Sequence, residues 1–345
     1  MNQYQERITE LRKKLGDDLI IMGHHYQNDA VIQHVDLTGD SLELARKVTT
    51  IDAKYIVFCG VYFMGESAAL LAREGQHVYM PEDDANCVMS QMAPATLADK
   101  VLTRLKEESG RKIIPLTYVN SSVAVKAVCG KHGGSVCTSA NAETMVRWAM
   151  ERGDSVLFLP DKNLARNTAK LIGIPEEKWH MLNIKADGTK IDMEAVKEAE
   201  LIMWPGCCAI HARFNERQIA SAREEYPDVK IVVHPEAAPN VIDKADAAGS
   251  TSFIIKYVEA APEGSNIAIG TELNLVERLA DKYEGKKNIF PLLESTCSHM
   301  ARVTEPKLAH TLEAIVDGTA KPVTIPEHLV EDAKIALERM LIACA

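Results

Sequence analysis

The sequence has no apolar run of membrane-spanning length and no excess of basic residues. Aromatic residues make up only 5% of it, and the formal net charge is −10. The lack of a long apolar run argues against a transmembrane helix, and the acidic balance argues against a groove for nucleic acid. Residues 1–18 are polar and lack the apolar core of a signal peptide, so we expect the protein in the cytoplasm.

Paired cysteine motifs are also missing, although cysteine itself is abundant. The chain has eight cysteines but no Cys-x-x-Cys pair. Disulfides are disfavoured in a reducing cytoplasm, so metal binding or catalysis is the expected reason for so many thiols. The absence of paired motifs argues against a zinc ribbon and against a ferredoxin-type run. Any metal ligands are therefore expected from distant parts of the chain.

The order of apolar and polar segments repeats three times along the chain. Each pass begins with a short apolar strand that ends in a polar cluster. It then continues through a helix, a second strand, a second helix and a third strand that leads to cysteine. These cysteines are Cys87, the adjacent Cys207 and Cys208, and Cys297. Short apolar strands that alternate with helices predict parallel sheets covered by helices on both faces.

The predicted fold is therefore α/β, with three pseudo-symmetric three-layer αβα domains whose parallel sheets surround a central active-site cavity. Crossovers between parallel strands are right-handed, so the strand ends of each sheet share one edge, where ligands bind. The helix at 1–16 is expected to pack against a C-terminal helix at 328–341. The predicted domains are 17–94, 110–208 and 228–300, with terminal helical segments at 1–16 and 301–345.

Polar side chains follow the first strand of each pass at the same level. They are His24, Tyr26, Tyr118, Asn120, His234 and Glu236. One such residue is more often structural than catalytic, but six at equivalent strand ends predict an active site. Hydroxyl-rich helix starts form a second set at Ser41, Ser139 and Thr251. These helix starts could bind carboxylate or phosphate, or their hydroxyls could simply cap the helices.

Three thiolates from equivalent positions suit a four-iron cluster that is bound through three of its irons. The remaining iron could then act as a Lewis acid toward a substrate hydroxyl or carbonyl. Zinc with an open fourth position is the alternative metal. Of the adjacent thiols, Cys208 is the predicted ligand because it forms a Cys-x-x-His arrangement with His211. The remaining cysteines outside this set are predicted to be buried and inert.

Ten motifs spread along the chain carry a resemblance to a known family. They are GHHYQ at 23–27, GDSLELA at 39–45, FMGESA at 63–68, YVNSSVAVKA at 118–127, TSANA at 138–142, WPGCCAIH at 204–211, VHPEA at 233–237, GSTSFIIKYV at 249–258, GTELNL at 270–275 and C-x-x-M at 297–300. With these motifs, the sequence resembles the quinolinate synthase A family of bacterial de novo NAD biosynthesis.

The resemblance implies an enzyme that condenses iminosuccinate (iminoaspartate) with dihydroxyacetone phosphate to quinolinate, releasing phosphate and two waters. It implies one [4Fe–4S] cluster held by Cys87, Cys208 and Cys297. It also implies a functional link to an L-aspartate oxidase or dehydrogenase that supplies iminosuccinate. The implied substrate contacts are His24, Ser41, Tyr118, Val119, Asn120, Ser139, His234, Pro235, Glu236 and Thr251, and Tyr26 and His211 are further active-site positions.

The same residues include the candidates for acid–base catalysis. Glu236 and Tyr26 are the candidates for proton transfer, with His234 or His24 assisting and His211 in the same catalytic set.

Two other functions compete with this one. A hydro-lyase would apply the same open-iron chemistry to a simple hydroxy acid, without a triose phosphate. A non-enzymatic iron–sulfur sensor would need an exposed interaction surface, which the sequence does not show clearly. The glycine-rich segment 129–135 is predicted to be an ordinary loop or a lid over the substrate.

Overall fold

The computed structural model describes residues 2–345 as an α/β protein built around three parallel sheets. The first sheet contains β1 (Leu19–His24), β2 (Leu37–Gly39), β3 (Tyr55–Cys59) and β4 (His77–Tyr79). The second contains β5 (Ile113–Tyr118), β6 (Ser135–Cys137), β7 (Ser155–Leu159), β8 (Trp179–Met181) and β9 (Leu201–Met203). The third contains β10 (Lys230–Val233), β11 (Ala247–Ala248), β12 (Asn266–Gly270) and β13 (Asn288–Pro291).

The three sheets share one strand order. It is β2-β1-β3-β4 in the first sheet and β11-β10-β12-β13 in the third. The second sheet runs β6-β5-β7-β9-β8, so it has the same order plus β8 as an extra edge strand. Every strand pair is parallel. The predicted α/β class with three helix-flanked parallel sheets is confirmed, while the predicted domain boundaries remain predictions.

Helices connect the strands and cover the sheets. They are α1 (Gln3–Leu15), α2 (Asp29–Ile32), α3 (Ser41–Val48), α4 (Tyr62–Leu71), α5 (Ala95–Ser109), α6 (Val123–Lys131), α7 (Ala142–Met150), α8 (Lys162–Ile172), α9 (Met193–Glu198), α10 (Glu216–Glu225), α11 (Pro239–Ile242), α12 (Thr251–Ala260), α13 (Leu273–Lys282), α14 (Glu305–Val316) and α15 (Glu327–Ala343). Among residues 2–345, no helix has the length and apolar character needed to cross a membrane.

The central strands are apolar because both faces of each sheet are covered. Every residue of β7, with the sequence SVLFL, is buried, as is every residue of β5. Several helices begin at a polar residue whose side chain caps them. The Asp40 side chain accepts the backbone N–H groups of Leu42 and Glu43 at the start of α3, for example. These local signals explain why the helix and strand order was readable from the sequence.

The prediction of three strands per repeat was one strand too few for the first and third sheets and two too few for the second. The strands that the prediction missed are the short edge strands β2, β6, β8 and β11. These edge strands are two or three residues long and have no apolar run of their own. Their pairing with a longer neighbour defines them, as Met22 to His24 of β1 pair with Leu37 to Gly39. A periodicity search has too few residues to detect such strands.

The predicted packing of the two terminal helices was wrong. Helix α1 packs on α14, where Ile8 and Leu11 join Leu308 and Leu312 in one buried cluster. Helix α15 packs on α6 and β6 instead. Both terminal helices are amphipathic, and an apolar stripe requires a partner without specifying which one.

Candidate active site

A cavity lies beyond the carboxyl ends of strands from all three sheets. His24 ends β1, Tyr118 ends β5 and His234 follows β10, and all three line this cavity. The full lining is His24, Tyr26, Asp40, Ser41, Val61, Phe63, Met64, Cys87, Tyr118, Asn120, Ser139, Cys208, Ile210, His211, His234, Glu236, Thr251, Cys297 and Met300. The repeat therefore brings distant polar residues to one place.

Nearly every residue predicted for the site lines this cavity. The two exceptions are Val119 and Pro235. Val119 is buried in the neighbouring core, and Pro235 lines a separate surface groove that also contains Asn167 and Phe253. All of the predicted substrate contacts, including these two, stay predictions. The segment 129–135 is absent from the lining, and neither predicted form describes it fully. Residues 129–131 end α6, Ser135 begins β6, and only residues 132–134 form a turn between them. Arg339 of α15 donates to the carbonyl oxygens of Gly130 and Gly134.

The three predicted metal-ligand cysteines occupy equivalent turns. Each follows the last strand of its repeat, and its carbonyl oxygen accepts a backbone N–H from three or four residues later. The partners are Ser90 at 3.1 Å from Cys87, Ala212 at 3.0 Å from Cys208 and Ala301 at 3.0 Å from Cys297. Cys207 does not line the cavity, whereas Cys208 does. Cys59, Cys129 and Cys137 are fully buried outside it, and Cys344 is partly buried near Asn141.

Burial raises the pKa of all three cavity thiols, to about 12 for Cys87. Repulsion between Cys87 and each of the other two thiolates acts in the same direction. These thiols therefore stay neutral unless a cation replaces their protons, as a metal does. Three soft thiolate donors facing one cavity fit an iron–sulfur group held by three cysteines.

A mixed donor set overlaps the thiols. Ligand atoms of Cys208, His211 and Glu236 lie within 4.8 Å of one another. Sulfur, imidazole and carboxylate donors are also the ligands that zinc accepts. The donor chemistry of the cavity therefore leaves both metals of the sequence prediction open, and Cys208 belongs to either set.

Two buried carboxyl groups accept backbone N–H groups of the cavity cysteines, and the sequence prediction missed both. Asp161 Oδ2 accepts the backbone N–H of Cys208 at 2.9 Å, and Glu272 Oε1 accepts that of Cys297 at 3.2 Å. They occupy equivalent positions, two residues beyond β7 and β12, where each caps the next helix. Val61 takes this place in the first repeat. The sequence signal that could have identified Asp161 and Glu272 is an acidic residue two positions after the end of a strand. Burial raises the pKa of Glu272 to about 7.

A hydrogen-bonded network connects Glu236 with Tyr26. His211 Nδ1 lies 2.5 Å from Glu236 Oε2, and His211 Nε2 lies 3.1 Å from Thr271 Oγ1. The Tyr26 hydroxyl lies 2.6 Å from the same Thr271 oxygen. Burial raises the pKa of Tyr26, so its phenol keeps the proton and can donate it. One consistent order has Tyr26 donating to Thr271, Thr271 donating to His211 Nε2, and His211 Nδ1–H donating to the Glu236 carboxylate.

The charges of the buried groups differ although they are neighbours. Burial lowers the pKa of His24 and of His234 to about 3, so both imidazoles are neutral near pH 7. Burial alone would raise the pKa of Glu236. The hydrogen bond from His211 acts in the opposite direction and lowers that pKa, so this carboxyl group is ionised. Glu236 Oε1 has no hydrogen-bond partner, which leaves one acceptor free in the cavity.

The hydroxyl-rich helix starts present free groups to the cavity. Asp40 and Ser250 cap α3 and α12 with their own side chains, so Ser41 and Thr251, the first helical residues, are not needed as caps. Thr251 Oγ1 is buried without a partner. In residues 2–345, no lysine or arginine side chain lines the cavity. Hydroxyl groups, the Asn120 amide and helix N-termini are therefore the groups that could bind an anion here.

Comparison with known proteins gives a consistent result. A family model described as "Quinolinate synthetase A protein" matches residues 6–342. A protein of Corynebacterium glutamicum named quinolinate synthase is 44% identical over 345 residues, covering 99% of this chain and 87% of its own. Proteins of the same name from Herpetosiphon aurantiacus and Streptomyces coelicolor are 42% and 43% identical. They cover 99% and 97% of this chain, and 92% and 87% of their own.

Proposed function

Because the chain belongs to the quinolinate synthetase A family, we propose that it is a quinolinate synthase that acts in NAD biosynthesis. Its proposed substrates are iminosuccinate and dihydroxyacetone phosphate, and its products are quinolinate, phosphate and two waters. We further propose a cytoplasmic location and an L-aspartate oxidase or dehydrogenase as the supplier of iminosuccinate.

The observation that carries this proposal is the shared cavity. Three thiols, from Cys87, Cys208 and Cys297, open on the same space as His24, Tyr118, Asn120, Ser139, His234, Glu236 and Thr251. The cavity is lined by polar groups from all three repeats, which suits two small polar substrates that must be held together. A hydro-lyase for a simple hydroxy acid has no feature of its own in this cavity.

The three cavity thiols would hold the proposed [4Fe–4S] cluster. That cluster would supply a Lewis-acidic iron without a protein ligand, able to polarise a hydroxyl or carbonyl oxygen. The thiols come from three repeats, so the group would bind only where the repeats meet. Asp161 and Glu272 would hold the backbones of Cys208 and Cys297 in place through the bonds described above.

The polar residues would bind the anionic substrates and move protons. The hydroxyls of Ser41, Ser139 and Thr251 and the Asn120 amide would hold the carboxylates of one substrate and the phosphate of the other. Ionised Glu236, with Oε1 free, would accept a proton during carbon–carbon bond formation or ring closure. The Tyr26 phenol, which keeps its proton because burial raises its pKa, would donate that proton to a departing hydroxyl.

The direct test is anaerobic purification followed by iron and sulfide counts and an assay with both substrates. We expect about four irons and four sulfides per chain, the composition of a [4Fe–4S] cluster, and quinolinate formation that requires both substrates. Turnover of a hydroxy acid without the triose phosphate would favour the hydro-lyase. Zinc in place of iron would reject the cluster.

The adjacent cysteines offer a matched pair of variants for the ligand assignment. C208S should lose the cluster and activity together, because serine is a poor ligand for these irons. C207S should keep both, since Cys207 lies outside the cavity lining. The readouts are visible absorbance, iron content and quinolinate formation. A cluster that survives in C208S and is lost in C207S would reverse the assignment.

A further inference from the structure

Two asparagines on α8 donate hydrogen bonds to the loop that carries Glu236. Asn167 Nδ2 donates to the carbonyl oxygens of Pro235 and Ala237, both at 2.8 Å. Asn163 Nδ2 donates to the carbonyl oxygen of Glu236 itself at 3.1 Å. Three successive carbonyl groups of one loop are thus held by two side-chain amides.

The spacing of these asparagines explains how one helix can do this. Residues four apart on an α-helix lie on the same face, about one turn from each other. Asn163 is 5% exposed. The Oδ1 atom of Asn167 is buried without a partner, so the amide is oriented entirely by the two carbonyl groups. A flipped amide would set its oxygen against both carbonyl oxygens.

These hydrogen bonds connect the second repeat with the third. Helix α8 follows β7 of the second sheet, whereas residues 235–237 follow β10 of the third. The same helix start also orients Cys208, because Asp161, its N-cap, accepts the Cys208 backbone N–H. One rigid element therefore sets the position of Glu236 relative to a thiol of the other repeat.

We infer that Asn163 and Asn167 are positioning residues for Glu236, holding its carboxylate against His211 and toward the cavity. This inference rests on the proposed function, because it assigns Glu236 to proton transfer in that reaction. Neither amide lines the cavity. Their role is therefore to fix the backbone from which Glu236 extends, and small displacements of a reacting group are costly in rate.

The test is a graded series of variants assayed for quinolinate formation. N163A removes one of the three bonds, N167A removes two, and the double variant removes all three. We expect kcat to fall in that order, by about tenfold to a hundredfold for N167A, while KM for each substrate stays within about threefold. The iron content should stay at the wild-type value. The variant N167Q, which restores the amide on a side chain that is one methylene longer, should recover part of the lost kcat.

N240A is the matched control, since exposed Asn240 of α11 donates to the Glu216 side chain and has no contact with the cavity. It should keep wild-type kcat. Variants that lower the melting temperature but leave kcat unchanged would overturn the inference, because the asparagines would then be merely structural. Should N167A not fold, N163A carries the same test.

Hydrogen exchange separates this inference from the proposed function. In N163A and N167A, the backbone amides of residues 234–238 should exchange faster than in the wild type, while those of α13 should not change. If the wild type forms no quinolinate, the proposed function fails. Unchanged exchange at 234–238 would then overturn the positioning role independently of any activity.

Discussion

At the scale of single residues, the central feature is an ionised carboxylate in a buried place. Glu236 is 2% exposed and His211 is also 2% exposed. An unpaired buried carboxylate costs several kcal/mol, and a close hydrogen-bonded partner is needed to offset that cost. The 2.5 Å bond from His211 supplies this partner. The pair therefore leaves one buried acceptor, Glu236 Oε1, without a hydrogen-bond partner.

Replacing Glu236 with glutamine tests whether this charge is used in catalysis. Glutamine has nearly the same shape and can still accept from His211, but it cannot take up a proton. We expect kcat to fall by about 10² to 10⁴-fold in E236Q, with the cluster absorbance retained. Steady-state kinetics and visible spectra of the same preparation provide the measurement.

E305Q is the control for loss of a buried carboxylate. Glu305 is 5% exposed and accepts from His34 at 2.7 Å, far from the cavity lining. This variant should lose stability and keep its turnover number. Near-normal turnover in E236Q would remove Glu236 from the proton-transfer step.

At the scale of elements, the packing of α15 on α6 depends on close backbone approach. A Cβ atom at Gly130 would lie 1.8 Å from the carbonyl oxygen of Asp332. Arg339 of α15 donates to the Gly130 and Gly134 carbonyl oxygens, and Ser135 Oγ donates to Ala336 O at 3.0 Å. The C-terminal helix is thus fitted to one surface of the second repeat.

The variant G130A should therefore be destabilised. The clash is with backbone, which cannot rotate away, so the two helices must separate. We expect a loss of about 1–3 kcal/mol in the free energy of unfolding, measured by denaturant titration. K131A, at the neighbouring exposed position, should change it by no more than about 0.5 kcal/mol. Equal stabilities of the two variants would show that the helices separate without cost.

At the scale of the whole molecule, the cavity exists only when all three repeats are assembled. Its thiols come from loops after β4, β9 and β13, and its polar groups come from the first strands of the same sheets. A ligand that binds only this assembled state stabilises it by mass action. The proposed cluster should therefore stabilise the entire chain and not one repeat.

Removal of the cluster tests this coupling. Calorimetry of anaerobic holoprotein should give one transition at a higher temperature than that of the apoprotein prepared with a chelator and an oxidant. The C297S variant, which lacks one thiol, should unfold near the apoprotein temperature whether or not iron and sulfide are added. A holoprotein in which one repeat still unfolds at the apoprotein temperature would contradict the shared role of the three repeats.

Much of this architecture could be read from local patterns. Apolar runs such as those of β5 and β7 identify buried strands, and caps such as Asp40 define helix starts. The threefold order of strands, helices and cysteines then predicts one common edge, because parallel strands end on the same side. The equivalence of Cys87, Cys208 and Cys297 follows from this order.

Other features depend on contacts between segments distant in the chain. No local sequence pattern indicates the edge strands β2, β6 and β11 or the packing partners of α1 and α15. None indicates the hydrogen bonds that Asn163 and Asn167 donate to residues 235–237. A side-chain amide shows which bonds it can make but not which carbonyl group will lie near it. The sequence by itself therefore determined the repeated units and the chemistry at their ends. Only tertiary structure decided how those ends face one another, because that depends on which apolar surfaces are buried together.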